Sequence, residues 1–163
     1  MTEQRFQSLR LHLEFRIPLL PSARGQARGN SGVHLQGRYE VQILDSYGLA
    51  GRDNECGAVY KVASPRVNMC APPLQWQTFD IVFYAAHYNR QGQKTLGPRI
   101  SVMHNGVAIH ENLEIPEKTA FAPVSESAEP GPIVLQDHGT PVQFRNIWLV
   151  ELNDDRGISG VVP

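Results

Sequence analysis

Leu9, Leu11, Leu13, Phe15 and Ile17 alternate with Arg10, His12, Glu14 and Arg16. This strict period of two limits the fold more than any other feature of the sequence. An amphipathic helix repeats its apolar positions every three or four residues, so the run reads as an extended strand with one apolar and one polar face. Such a strand needs a second layer to cover its apolar side. Pro18 and Pro21 end it, and residues 22–31 form a Gly, Arg, Ser and Asn loop expected to be mobile or to face a ligand.

The same period returns downstream. Val33 and Leu35 alternate with His34 and Gln36, Gly37 turns the chain, and Tyr39, Val41 and Ile43 oppose Arg38, Glu40 and Gln42, which predicts a hairpin. Residues 45–73 read as a long crossover loop, with 58–62 its one short strand candidate. Residues 76–84 are extended. Residues 99–103 are expected to pair antiparallel with 107–109 across His104-Asn105-Gly106, whose Asn-Gly is a strong hairpin signal. After a Pro, Glu and Ser-rich loop over 115–130 come an extended stretch at 133–136, a turn over 137–141 and a last strand over 142–152.

The 14 glycines and 12 prolines are spread along the chain and break long helices. No helix longer than two turns and no internal repeat is expected. An all-β fold follows: an antiparallel two-sheet jelly-roll sandwich forming one domain over 1–152, with 153–163 as a loose tail. The 163 residues suit a single core. Charge excludes further classes, because 15 basic against 16 acidic residues give a net charge of -1, without a global field for nucleic acid or an anionic membrane. No stretch approaches the ~20 apolar residues of a spanning helix. Residues 1–6 carry no apolar signal-peptide core.

Cys56 and Cys70 are too few for a four-cysteine zinc site; a disulfide between them and two free thiols are equally compatible with the sequence. The histidines at 12, 34, 87, 104, 110 and 138 show no helical ligand spacing. The sequence thus offers no support for a metal or other cofactor, though the fold could gather such ligands. A nucleophile elbow, a zincin helix motif and a glycine-rich phosphate loop are all missing.

Ordered blocks carry a resemblance. Residues 29–33 (GNSGV), 36–48 (QGRYEVQILDSYG), 56–60 (CGAVY), 73–81 (PLQWQTFDI), 104–107 (HNGV), 131–139 (GPIVLQDHG) and 144–148 (FRNIW) resemble the 3-keto-disaccharide hydrolase domain family over roughly residues 9–152. The resemblance implies a concanavalin A/laminin-G-like jelly roll and a bacterial periplasmic or secreted setting. Members of that family usually carry further strands before the block that begins here at Leu9. The domain is therefore expected to be a fragment incomplete at its N-terminal side, a naturally short member, or a protomer completed in a homo-oligomer through an unpaired sheet edge.

The resemblance also implies a carbohydrate substrate and a reaction, the cleavage of glycosides already oxidised to a ketone at C3. A C3 carbonyl acidifies the C2 proton, so a base removes it, the C1 group departs by β-elimination, and water adds back. Such a site needs a base, a proton donor for the leaving oxygen and a partner for the enolate. Glu40 is the expected base; the ordinary alternative is an ion pair with Arg16 or Arg38. His138 or His104 is the expected acid, with a plain turn role as the alternative for each. Asp137 is expected to cap the turn, leaving His138 on the side of Gln136.

Glu14, Arg16, Glu40 and Gln42 are expected to line one shared groove, with Gln136, and Arg145 and Arg16 to hold ketone or hydroxyl groups. Trp76 is expected to stack on a sugar or to pack in the core, and Asp80 to be structural or groove-lining. Two other functions remain open on this reading: a laminin-G-type carbohydrate-binding module without chemistry, and an assembly domain of a larger protein.

Overall fold

In a computed structural model, which describes residues 1–154 and Arg156, the alternation of β1 (Leu9–Arg16) decides the layering. Leu9, Leu11, Leu13 and Phe15 are fully buried, while Arg10, His12, Glu14 and Arg16 point to the other side. The strands β2 (Ser31–Leu35) and β3 (Tyr39–Ile43) form the expected hairpin, with Gln36 and Gly37 both at positive φ (54° and 65°), the geometry of a tight two-residue turn. Then follow β4 (Trp76–Tyr84), β5 (His87–Tyr88), β6 (Lys94–Leu96), β7 (Arg99–His104), β8 (Val107–Glu114), β9 (Val134–Leu135) and β10 (Gln143–Glu151). Asn105 and Gly106 turn β7 into β8.

Two antiparallel sheets result, one of five strands in the order β10-β1-β4-β7-β8 and one of three in the order β3-β2-β9; β5 and β6 form a small ribbon. This is the jelly-roll sandwich the alternation demands. Its core lies between the sheets, where Phe15, Phe79, Ile81, Phe83 and Val102 from the larger meet Val33, Leu35, Tyr39, Val41 and Ile43 from the smaller. Each such side chain contributes ~1.5–3 kcal/mol by leaving water. The Tyr39 and Phe83 rings meet across the interface with centroids 5.5 Å apart.

This layering overturns the shared groove. β1 and β3 both turn their odd-numbered side chains into the core, so the polar set of each faces away from the opposite sheet. Glu14 and Arg16 lie on the outer face of the five-stranded sheet, Glu40 and Gln42 on the outer face of the three-stranded one. The core separates them.

Segment 58–62 is not a regular strand. Val59 bridges Val41 and Ala63, and the chain turns on itself. Beyond β10, Leu152 N–H donates to Ser8 O, and the Asp154 carboxylate accepts from Ser8 Oγ and from Arg156. The rest of the expected tail lies outside the described residues.

Candidate active site

The outer face of the three-stranded sheet is polar yet buried, because loops cover it. Gly57 N–H donates to Gln42 O, Gln42 N–H to Ala58 O, and Tyr60 N–H to Glu40 O, so segment 57–60 runs along the free edge of β3. His110 Nε2 donates to Gly57 O and holds this segment from β8. The 115–130 loop closes the remaining edge. Thr119 N–H donates to Arg38 O, and Thr119 Oγ1 accepts from Glu40 N–H at 3.1 Å. The Arg38 guanidinium is buried and donates to Ser125 O, Glu129 O and Ser127 Oγ. An otherwise exposed strand edge is thus fully occupied.

These loops leave a cleft of about 280 Å³, near the lower end of the range for small-molecule sites and of a size for one ring-shaped group. Its floor is Glu40 and Gln42 of β3. Gln26 and Asn30 enter from the loop before β2, Gln136 and His138 from the loop after β9, and Tyr60 and Phe121 from the covering loops. Asp137 Oδ1 accepts from Gly139 N–H at 2.9 Å, so Asp137 caps the turn and His138 takes the cleft side.

Glu40 is 3% exposed, and neither arginine weighed as its partner reaches it. Arg38 is committed to loop carbonyls, and Arg16 sits on the other sheet, bonded to Gln143. With no cation in contact, burial dominates and pushes the Glu40 carboxyl up to about 7. The nearest basic group is His34, 2% exposed, with Nε2 3.8 Å from Glu40 Oε1. That separation exceeds a hydrogen bond. Burial also pushes the imidazole down to about 4, so near neutral pH His34 is uncharged and the pair is not a salt bridge. Its Nδ1 has no hydrogen-bond partner among the described residues.

The Gln42 amide reaches the carboxyl: its nitrogen lies 3.1 Å from Glu40 Oε1 and 2.9 Å from Ser31 O and donates to both. Space for the Glu40 side chain comes from Gly32 on β2, where a β-carbon would stand 2.9 Å from Glu40 Cδ.

Of the residues expected to act, the fold thus brings together Glu40, Gln42, Gln136 and His138. It separates the others. His104 is fully buried in the core, its ring 4.8 Å from that of Phe79 and 5.8 Å from that of Phe15, with Nε2 3.0 Å from Gln77 Oε1. It has no access to the cleft and cannot serve as acid there. Glu14, Arg16, Trp76 and Arg145 form their own group on the outer face of the larger sheet. Arg145 Nε donates to Glu14 Oε2 at 2.6 Å, and the Trp76 ring lies between the guanidiniums of Arg145 and Arg16, 3.9 and 5.1 Å from its centroid. Asp80 holds His12 Nδ1 at 2.9 Å on the same face.

Cys56 and Cys70 are free, buried thiols, Cys70 Sγ donates to Leu44 O at 3.5 Å, and no disulfide joins them. Among the described residues no three His, Cys, Asp or Glu side chains converge to hold a metal ion.

Sequence reasoning missed Gln26, Asn30, His34, Tyr60 and Phe121. Asn30 and Tyr60 stand inside the resembling blocks, and Gln26 inside the loop expected to face a ligand. Phe121 carries no sequence signal.

Fold and cleft define a jelly-roll sandwich bearing a buried, unpaired carboxyl among neutral amides on the outer face of its smaller sheet. The chain belongs to the 3-keto-alpha-glucoside-1,2-lyase-like domain family, whose model matches residues 1–150. It is also similar to a crystal structure of a protein from Parabacteroides distasonis named a putative glycosyl hydrolase, with 35% identity and a TM-score of 0.83 over 93% of this chain and 66% of that one. A second structure from the same organism, with the same name, shares the fold at 17% identity and a TM-score of 0.65, over 93% of this chain and 75% of the other. This chain therefore spans about two thirds to three quarters of the length of these relatives. No curated protein matches it.

Proposed function

We propose that the Glu40 cleft cleaves glycosides whose sugar carries a ketone at C3. One observation carries this reading: a buried carboxyl, free of any cation, that titrates near neutrality at the floor of a ring-sized polar cleft. A base with this pKa is matched to proton abstraction near pH 7. The neutral lining of Gln26, Asn30, Gln42 and Gln136 suits a neutral, hydroxyl-rich ligand. Family membership and the similarity to a named glycosyl hydrolase support the substrate class.

In the proposed reaction the Glu40 carboxylate takes the C2 proton, and the electron pair of that bond moves into an enolate with oxygen at C3. The enolate collapses, a C1–C2 double bond forms, and the C1–oxygen bond breaks. His138 donates a proton to the departing oxygen. Water then adds at C1 and gives its proton to His138, and Glu40 returns its proton to C2. The Gln42 amide donates to the Glu40 carboxylate.

The neutral amide lining would also hold a sugar without chemistry, and Glu40 separates the two readings. Under the enzyme reading Glu40→Gln removes turnover of a 3-keto-glucoside by at least about a thousandfold while sugar binding stays within a few-fold. Binding by the wild type without turnover of any 3-keto-glycoside would make the domain a carbohydrate-binding module instead.

A further inference from the structure

Tyr60 and Phe121 line the Glu40 cleft on one side and a second hollow of about 510 Å³ on the other. We propose that this second hollow receives the leaving group of the substrate and selects a neutral, planar aromatic one. The proposal rests on reading the Glu40 cleft as the seat of the sugar ring.

Phe121 is the observation that points there. It is 91% exposed, on a backbone at φ 61°, a region that costs a non-glycine residue about 1 kcal/mol or more. The phenyl ring adds nothing to the core, so neither packing nor backbone preference accounts for it. Its position is nevertheless fixed. Ala122 N–H donates to Thr119 O, and the Thr119 hydroxyl oxygen accepts from Glu40 N–H. A single residue, Ala120, therefore separates the group that holds the Glu40 backbone from the aromatic face beside it.

The walls define the chemistry of the occupant. Val62, Pro116 and Ala120 are apolar. Both lysines of the hollow are already engaged, Lys61 with Asp53 Oδ1 at 3.3 Å and Lys118 with Ala122 O at 3.3 Å. Glu117 adds a carboxylate to the wall, which disfavours an anionic occupant, and Lys61 stands over the Tyr60 ring at 6.0 Å; the exposed face of Phe121 is left to stack on a flat ring. An aryl group bonded through oxygen to C1 would leave across the Tyr60–Phe121 boundary directly into this space. Its phenolate is also a better leaving group than an alkoxide, so the elimination demands less of His138.

The test compares phenyl and methyl 3-keto-glucosides on the wild type, Phe121→Ala and Phe121→Tyr. Phe121→Ala is expected to lower kcat/KM for the phenyl substrate about tenfold more than for the methyl substrate, the scale of one aromatic stacking contact. Phe121→Tyr is expected to retain the phenyl rate. Equal losses on both substrates, or no loss on either, would overturn the proposal. Calorimetric titration of both glucosides into Glu40→Gln, with and without Phe121→Ala, keeps the hollow separate from the chemistry. If the wild type cleaves neither substrate the catalytic reading fails, yet a phenyl preference that vanishes with Phe121→Ala still supports the hollow. Equal affinity for both glucosides sinks it.

Discussion

Gly32 on β2 and Glu40 on β3 interlock: the carboxyl lies where a side chain on residue 32 would begin, and a β-carbon there would overlap Oε1 and stand 2.9 Å from Cδ. The carboxyl is thereby packed against backbone, fixed in direction and shielded from water. Gly32→Ala is expected to push Glu40 out of this seat. Displacing a catalytic group by ~1 Å costs on the order of a hundredfold in rate, and overpacking costs roughly 1–3 kcal/mol. We therefore expect kcat to fall about a hundredfold, with Tm lower by roughly 2–10 °C. A variant with full activity would mean that the carboxyl position does not matter to the reaction.

The raised Glu40 pKa has consequences of definite sign. The base must be ionised, so kcat/KM is expected to rise with pH through an apparent pKa near 7. For stability, the folded state keeps the Glu40 proton between pH 4.5 and 7, where the unfolded chain has released it. Stability from this group therefore falls as pH rises across that window, by up to roughly 3 kcal/mol. Neutral His34 and His104, both pushed down to about 4 from 6.5, act in the opposite sense and lose stability as pH falls below 6.5. Subtraction isolates Glu40. The Tm of Glu40→Gln minus that of wild type should grow from pH 5 to pH 8, and a flat difference would refute the buried, cation-free carboxyl.

The sandwich was legible because burial forces a period of two on any strand with one wet face. β1 displays it over its eight residues, and Gly37 and Asn105-Gly106 mark turns that only positive φ can close. The site was half legible. Alternation tells inside from outside within a strand, but a sandwich has two outsides, and nothing in β1 or β3 says which sheet each joins. Glu14 and Glu40 were thus placed together although the core divides them. His104 did carry a usable signal, since it shares parity with the buried Ile100 and Val102. Phe121 could not be read at all, because its place depends on where Thr119 meets β3.

Trp76 and Arg145 give the complementary prediction. Both belong to the outer face of the five-stranded sheet, where Arg145 covers the indole and bonds Glu14. Exposed contacts of this kind contribute ~1 kcal/mol or less. Trp76→Ala and Arg145→Ala are expected to leave kcat/KM within about twofold and to lower Tm by a few degrees at most. A loss of turnover in either would move the active site to the other sheet.

The thiols of Cys56 and Cys70 are buried, and burial pushes the Cys56 thiol up. Thiolate is the reactive form and burial bars the reagent from both sulfurs, so both should resist an aromatic disulfide reagent at pH 8 in the folded protein, Cys56 more than Cys70. Both should react rapidly in denaturant. Oxidation would close a loop of about 15 residues, worth ~3 kcal/mol. Rapid labelling of the folded protein would contradict the burial of the pair.

His104 separates stability from chemistry. Its ring fills the core between Phe15 and Phe79, and Nε2 meets Gln77 Oε1. Truncating it to Ala leaves a cavity and an orphaned amide, at a cost of roughly 3 kcal/mol. A Tm drop of about 6–12 °C is expected for a chain of this size. His104→Leu, which keeps most of the volume, should lose less. Because the imidazole is neutral when folded, both variants should also remove part of the destabilisation that wild type suffers from pH 6.5 down toward pH 4. In the folded fraction kcat should remain within twofold of wild type, whereas His138→Ala lowers it through the leaving oxygen. Loss of kcat with unchanged Tm in His104→Leu would return this histidine to the reaction.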